Sequence, residues 1–154
     1  KVDLLTNHKM LRPRKVSQVL SMAKIEGIRS IMMIKGDGTL IAASDDESSV
    51  LSSVSQNDGD SDSQSGSLSM VSFNGKVTAA IAASMWTSTQ AMIRLDDDDD
   101  IDCLIVECEG GRVAITSMSQ NLLCCVGEPT VEFGMMRAVA CRTAKYLESE
   151  LQNA

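Results

Sequence analysis

The spacing of apolar positions divides the chain into eight elements. Val16, Val19, Leu20 and Ala23 recur at helical intervals, Pro13 stands where a first helical turn tolerates it, and Glu26-Gly27 ends the run; this predicts a first helix over 12–25. Ile28 to Ile34 is rich in β-formers, Lys35-Gly36-Asp37-Gly38 is a turn signal and Thr39 to Ala43 resumes an extended pattern, which together predict a hairpin. After Asn74-Gly75, the alanine-rich stretch Lys76 to Gln90 predicts a second helix. Three strands follow, Ile101 to Cys108, Arg112 to Ser117 and Leu122 to Val126. They are separated by turns at Glu109-Gly110-Gly111 and near Gln120-Asn121, and such short connections imply an antiparallel meander. Gly127-Glu128-Pro129-Thr130 then breaks the chain. Thr130 is the predicted N-cap, Glu132 suits the positive end of a helix, and Phe133, Met136, Ala140, Ala144, Leu147 and Leu151 predict a long amphipathic helix over 131–151.

The order α-β-β-α-β-β-β-α predicts an α+β domain, one five-stranded antiparallel sheet with three helices. Two of its elements do not close within a single chain. Val77 to Trp86 (VTAAIAASMW) carries no charge and no polar face, whereas a helix lying between a sheet and water displays one; a partner is expected to supply the second cover. The strand IDCLIVEC is too apolar for a bare edge, yet an open sheet has two edges, so it too is expected to pair outside the chain. The expected partner contacts are Val77, Ala80, Ile81, Ser84 and Met85 on the helix and Leu104, Val106 and Cys108 on the strand. Which alternating face of the strand meets the partner stays open.

Composition narrows the function. The 154 residues suit one domain, placed at 10–151, with 1–9 expected to be a disordered extension. Apolar residues make up 44% and aromatics 3%, so the core draws on Ile, Val, Leu, Ala and ten Met. Residues 45–74 are acidic and serine-dense, with no Lys or Arg between Lys35 and Lys76, and are expected to form a disordered loop interrupting the domain. The net charge of -7 argues against nucleic acid as a partner. That charge is concentrated in 45–62 and in Asp96 to Asp102. The remaining body is mildly basic, with Lys1, Lys9, Arg12, Arg14, Lys15, Lys24, Arg29 and Lys35 near the start, read either as a solvated helix face or as a patch for an acidic partner or anionic lipid.

Catalytic parts are missing from the pattern. No G-x-S-x-G, H-E-x-x-H or P-loop occurs, and Gly36-Asp37-Gly38 is explained by the hairpin turn. His8 is the only histidine, and Cys103, Cys108, Cys124, Cys125 and Cys141 include no C-x-x-C pair, so no zinc set assembles; the cysteines are expected to be buried in a reducing compartment. Glu107 and Glu109, two apart on the strand, face no second acidic element. A nucleophilic Cys103 or Cys108 lacks a paired base. A non-enzyme without cofactor or metal is expected. No stretch reaches the roughly 18 apolar residues of a membrane span, and KVDLLTNHK lacks the apolar centre of a signal peptide, so a soluble cytosolic chain is expected.

Four segments, MLRPRKVSQVLSMA at 10–23, VTAAIAASMW at 77–86, DCLIVECEGGRVAIT at 102–116 and NLLCCVGEPTVEFGMMRA at 121–138, are similar to the roadblock/dynein-light-chain superfamily and, within it, to the roadblock subunits of the Ragulator. The likeness covers about 10–44 and 75–151. It departs from the family in the length of 45–74 and in the uniformly acidic run at Asp96 to Asp100. It implies a roadblock/profilin-like sheet in which the second helix and third strand pair with a sister roadblock subunit, and an extended, lipid-anchored Ragulator subunit that embraces the pair. It also implies a peripheral location on the cytoplasmic face of late endosomes and lysosomes. There the assembly binds Rag GTPases, acts in their nucleotide exchange, recruits the mTOR kinase complex in response to amino acids and supports MAPK signalling. The alternative within the superfamily is a dynein light chain, a homodimeric cargo adaptor bound to an intermediate-chain segment.

Overall fold

A computed structural model describes residues 13–44, 75–94 and 100–153. The extension at 1–9, the serine-dense stretch 45–74 and most of the aspartate run lie outside the described residues. The elements are α1 (Pro13–Ala23), β1 (Ile28–Lys35), β2 (Leu40–Ala43), α2 (Gly75–Ile93), β3 (Cys103–Cys108), β4 (Gly111–Met118), β5 (Asn121–Gly127) and α3 (Phe133–Asn153), in the predicted order. The five strands form one antiparallel sheet, β2-β1-β5-β4-β3, in which β5 returns to pair with β1 (Met32 opposite Cys124) and β3 pairs with β4 (Ile105 opposite Ala114).

Helices cover both faces of the sheet, which is why the central strands read as continuous apolar runs rather than strict alternations. On one face α1 and α3 enclose Leu20, Ile31, Met33, Met118, Leu123, Cys125, Met136 and Leu147. On the other, α2 lays Ala79, Ala82, Ala83 and Trp86 against Met32, Ile34, Ile115, Leu122 and Cys124. The methionines serve the core only in part: Met32, Met33, Met118 and Met136 are buried, whereas Met22, Met92 and Met135 are exposed.

Several local expectations are corrected. Thr130 is not the N-cap of the last helix. Residues 128–131 form a hydrogen-bonded turn, Val131 N donating to Glu128 O at 3.2 Å, and the helix begins at Phe133 with Met136 N donating to Glu132 O at 3.0 Å. The cause lies in the neighbouring turn. Glu128 N donates to Gly27 O at 2.8 Å, and Val131 fills the place of a side chain at Gly27, whose Cβ would stand 2.5 Å from Val131 Cγ2. These ties hold 128–131 against the turn that leads into β1 before a helix can start.

Phe133 consequently leaves the buried stripe and lies exposed beneath the Arg112 guanidinium, 4.1 Å from its ring centre. The first helix ends at Ala23 rather than at residue 25. Glu109 sits in the β3–β4 turn and not on the strand. Cysteine burial is uneven: Cys124 and Cys125 are buried, Cys103 and Cys141 half-buried and Cys108 exposed.

Candidate partner interface

Small residues at three- and four-residue spacing let α2 approach the sheet closely. Ala79, Ala82, Ala83 and Trp86 face inward and are buried. The closeness is visible at the hairpin turn, where Gly38 (φ +88°) lies so near that a Cβ there would stand 3.0 Å from Ala80 Cα. The opposite side of α2 is open. Val77 is 52% exposed, Ile81 55% and Met92 70%, and Ala80, Ser84, Ser88 and Ala91 are exposed between them. Positions 77, 81, 84, 88 and 92 fall on one line of a helix, and Lys76, in the first turn, is the only charged residue of α2.

β3 is an edge strand, paired with β4 alone among the described residues. Packing shows which face of the sheet each β3 side chain joins. Cys103 and Ile105 join the core beneath α1 and α3, whereas Leu104 joins the α2-side core with Ile101 and Val113. Alternation then carries Val106 and Cys108 to the α2 side as well. α2 packs over β1, β2 and β5, and Ile115 of β4 is buried in the same cluster; towards β3 the face is more open among the described residues, with Leu104, Val106 and Val113 half-buried and Cys108 exposed.

Two ion pairs flank β3 on the other side of the sheet. Arg112 holds Glu107 at 2.9 Å, donates to Val131 O and stacks on Phe133; Arg137 approaches Asp102 at 3.7 Å. Among the described residues, the α2 side presents an uncharged helix stripe, part of the sheet face and the outer edge of β3.

Seven of the eight sequence-predicted residues, Val77, Ala80, Ile81, Ser84, Leu104, Val106 and Cys108, open onto this surface. Met85 is half-buried and leans into the α2-side core instead. Sequence reasoning missed Ser88, Ala91, Met92 and Val113. For the three on the helix, the signal was the continuation of the stripe past Trp86; Val113 becomes visible only through its register opposite Val106.

Cys103 and Cys124 show the opposite of nucleophilic activation. Burial pushes the Cys103 thiol up to about 11, with the neighbouring Cys141 thiol adding to the effect, and pushes Cys124 up to about 12. A reactive cysteine needs its thiolate favoured near neutral pH. Among the described residues no cluster of three or more His, Cys, Asp or Glu is placed to hold a metal ion, and no helix is long and apolar enough to cross a membrane.

No family model matches the sequence. Among solved structures, the roadblock/LC7 domain from Streptomyces avermitilis superposes with a TM-score of 0.63 at 14% identity, over 88% of this chain and 97% of that one. The gliding protein MglB from Thermus thermophilus gives 0.66 at 16%, over 94% and 95%. An MglB in a tetrameric arrangement gives 0.66 at 17%, over 92% and 90%. Identities this low carry the architecture alone, and on that basis the chain has the fold of the roadblock/LC7 domains.

Proposed function

We propose that this chain is a non-catalytic scaffold subunit that works as one half of a roadblock pair, joining a sister roadblock subunit through α2 and β3. By its resemblance to the Ragulator subunits, the pair is held by a lipid-anchored subunit on the cytoplasmic face of late endosomes and lysosomes. There it supports Rag GTPase activation, recruitment of the mTOR kinase complex and MAPK signalling. The observation that carries the pairing is the uncharged outer stripe of α2 together with the β3 edge, which pairs with β4 alone among the described residues. A second roadblock sheet extends β3 by main-chain hydrogen bonds and lays its own helix on Val77 and Ile81, each contributing about 1 kcal/mol as its exposed half is buried. The MglB structure in a tetrameric arrangement adds that a domain of this fold occurs in assemblies.

The test is co-purification with the sister subunit. Ile81→Asp combined with Leu104→Asp abolishes it, because both changes put a carboxylate into the closed interface; undiminished pairing of the double variant would overturn the assignment. A homodimeric adaptor of the dynein type is the second reading, which an uncharged and therefore self-compatible surface also permits. Light scattering on the chain alone separates the two: a dimer at micromolar concentration supports the second, a monomer that binds the sister subunit the first.

A further inference from the structure

Away from the α2–β3 surface, the end of α1 and the start of α3 enclose a groove of about 480 Å³. Its apolar lining is Ile25, Val131 and Met135, of which Ile25 is 42% and Met135 49% exposed. Its rim carries Glu26, Glu128 and Glu132, and no Lys or Arg lines it. None of the three carboxylates makes an ion pair among the described residues, and Arg112, the cation that reaches Val131 O, is held by Glu107. The walls are fixed to each other: Glu128 N donates to Gly27 O at 2.8 Å, Ile28 N donates to Ile25 O at 3.0 Å, and Val131 occupies the space that a side chain at Gly27 would need. The backbone that frames the groove is thus fixed by the fold, through a glycine of positive φ (+83°) and the hydrogen bonds on either side of it.

We infer that this groove docks a short basic segment of a partner protein, one with apolar residues that seat against Ile25, Val131 and Met135 and with Lys or Arg that meet the three glutamates. The charge fixes the sign of the occupant. The start of a helix ordinarily favours an anion, but here three carboxylates surround it, so a cationic partner is selected. The spread of the charge fixes its form. The glutamates are not gathered as metal ligands but distributed around an apolar floor, an arrangement that matches several cations along a peptide better than one compact ion. The volume falls in the range of sites that hold a few side chains.

The experiment titrates the isotope-labelled full chain with a synthetic dodecapeptide that alternates Lys and Arg with Leu and Met, followed by amide shifts and by anisotropy. Expected are shifts concentrated at Ile25–Gly27 and Glu128–Met135, and a Kd about tenfold weaker for the triple variant Glu26→Gln, Glu128→Gln, Glu132→Gln, as three exposed ion contacts imply. Met135→Ser weakens binding by a similar factor, and a peptide with Glu in place of its bases does not bind. These residues are exposed or half-exposed, so unchanged shifts elsewhere in the spectrum certify the fold of each variant. Shifts centred on α2 or on the acidic stretch 45–74, an affinity indifferent to the triple substitution, or no binding at all would overturn the inference.

Discussion

The two long helices lie on opposite faces of one sheet, and they differ on the side that the sheet does not touch. The outer surface of α3 carries Arg137, Arg142, Lys145 and Glu150, all exposed, as expected where a helix meets water. The outer surface of α2 carries Val77, Ile81 and Met92, separated by alanine and serine. Beneath the helices the two faces are equally closed. Cys124 and Cys125 are neighbours pointing to opposite faces, one into the α2 layer and one into the α1–α3 layer, and both are fully buried. The monomer's core is thus complete without the outer side of α2. The outer apolar residues of α2 are therefore spared by the core, and they stand among alanine and serine, whereas the exposed Met135 and Tyr146 of α3 stand among charged residues.

Truncating α2 on each side in turn separates its core side from its outer side. Trp86→Ala removes the largest side chain between α2 and the sheet, where it is 4% exposed, and lowers unfolding free energy by about 3–5 kcal/mol in urea titration. Ile81→Ala, five residues earlier on the outer side, stays within about 0.5 kcal/mol of the parent for the lone chain. If the two substitutions cost the same, the division of α2 into a core side and a partner side is wrong.

The equal closure of the two faces is tested by alkali. Burial raises the Cys124 thiol from an ordinary 9.0 to about 12, and the Cys125 thiol is raised as well. The un-ionised form is therefore favoured in the folded chain. The stabilisation is complete below about pH 9, where the unfolded thiol is also neutral, and is lost as pH rises from 9 towards 12. For Cys124 the loss reaches about 4 kcal/mol at most. Urea unfolding at pH 8 and pH 10.5 measures it, and Cys124→Ala and Cys125→Ala each flatten the decline. A decline removed by one substitution and untouched by the other would mean that one face admits water at its centre.

Much of this contrast was legible in the sequence because it is a property of composition along one element. A run of ten residues without charge, VTAAIAASMW, has no polar side to show, and no tertiary detail alters that. The edge position of IDCLIVEC was equally accessible, since an open sheet must end somewhere and the apolar strand ill suits an end. The start of the last helix was misread because it is decided by contacts distant in sequence: Gly27 and Val131 interlock, and their fit outweighs the capping preference of Thr130. The same limit hid the inward lean of Met85, the exposure of Cys108 and the groove rimmed by Glu26, Glu128 and Glu132, which is assembled from two segments about a hundred residues apart.

A smaller effect sharpens how α2 is held. The hairpin turn contains two glycines with unlike surroundings: nothing lies within 4 Å of a Cβ built on Gly36, whereas one on Gly38 would press on the α2 backbone at Ala80, and Gly38 also has a φ of +88°. Gly36→Ala should leave the melting temperature nearly unchanged. Gly38→Ala should lower stability by about 1–3 kcal/mol, through left-handed strain and through displacement of α2. Because the displaced residue, Ala80, lies on the outer stripe, the second substitution should also weaken pairing with the sister subunit at temperatures where the chain remains folded. A Gly38→Ala chain that loses stability and pairs with undiminished affinity would show that the interface tolerates movement of α2, and would shift the weight of recognition onto the β3 edge.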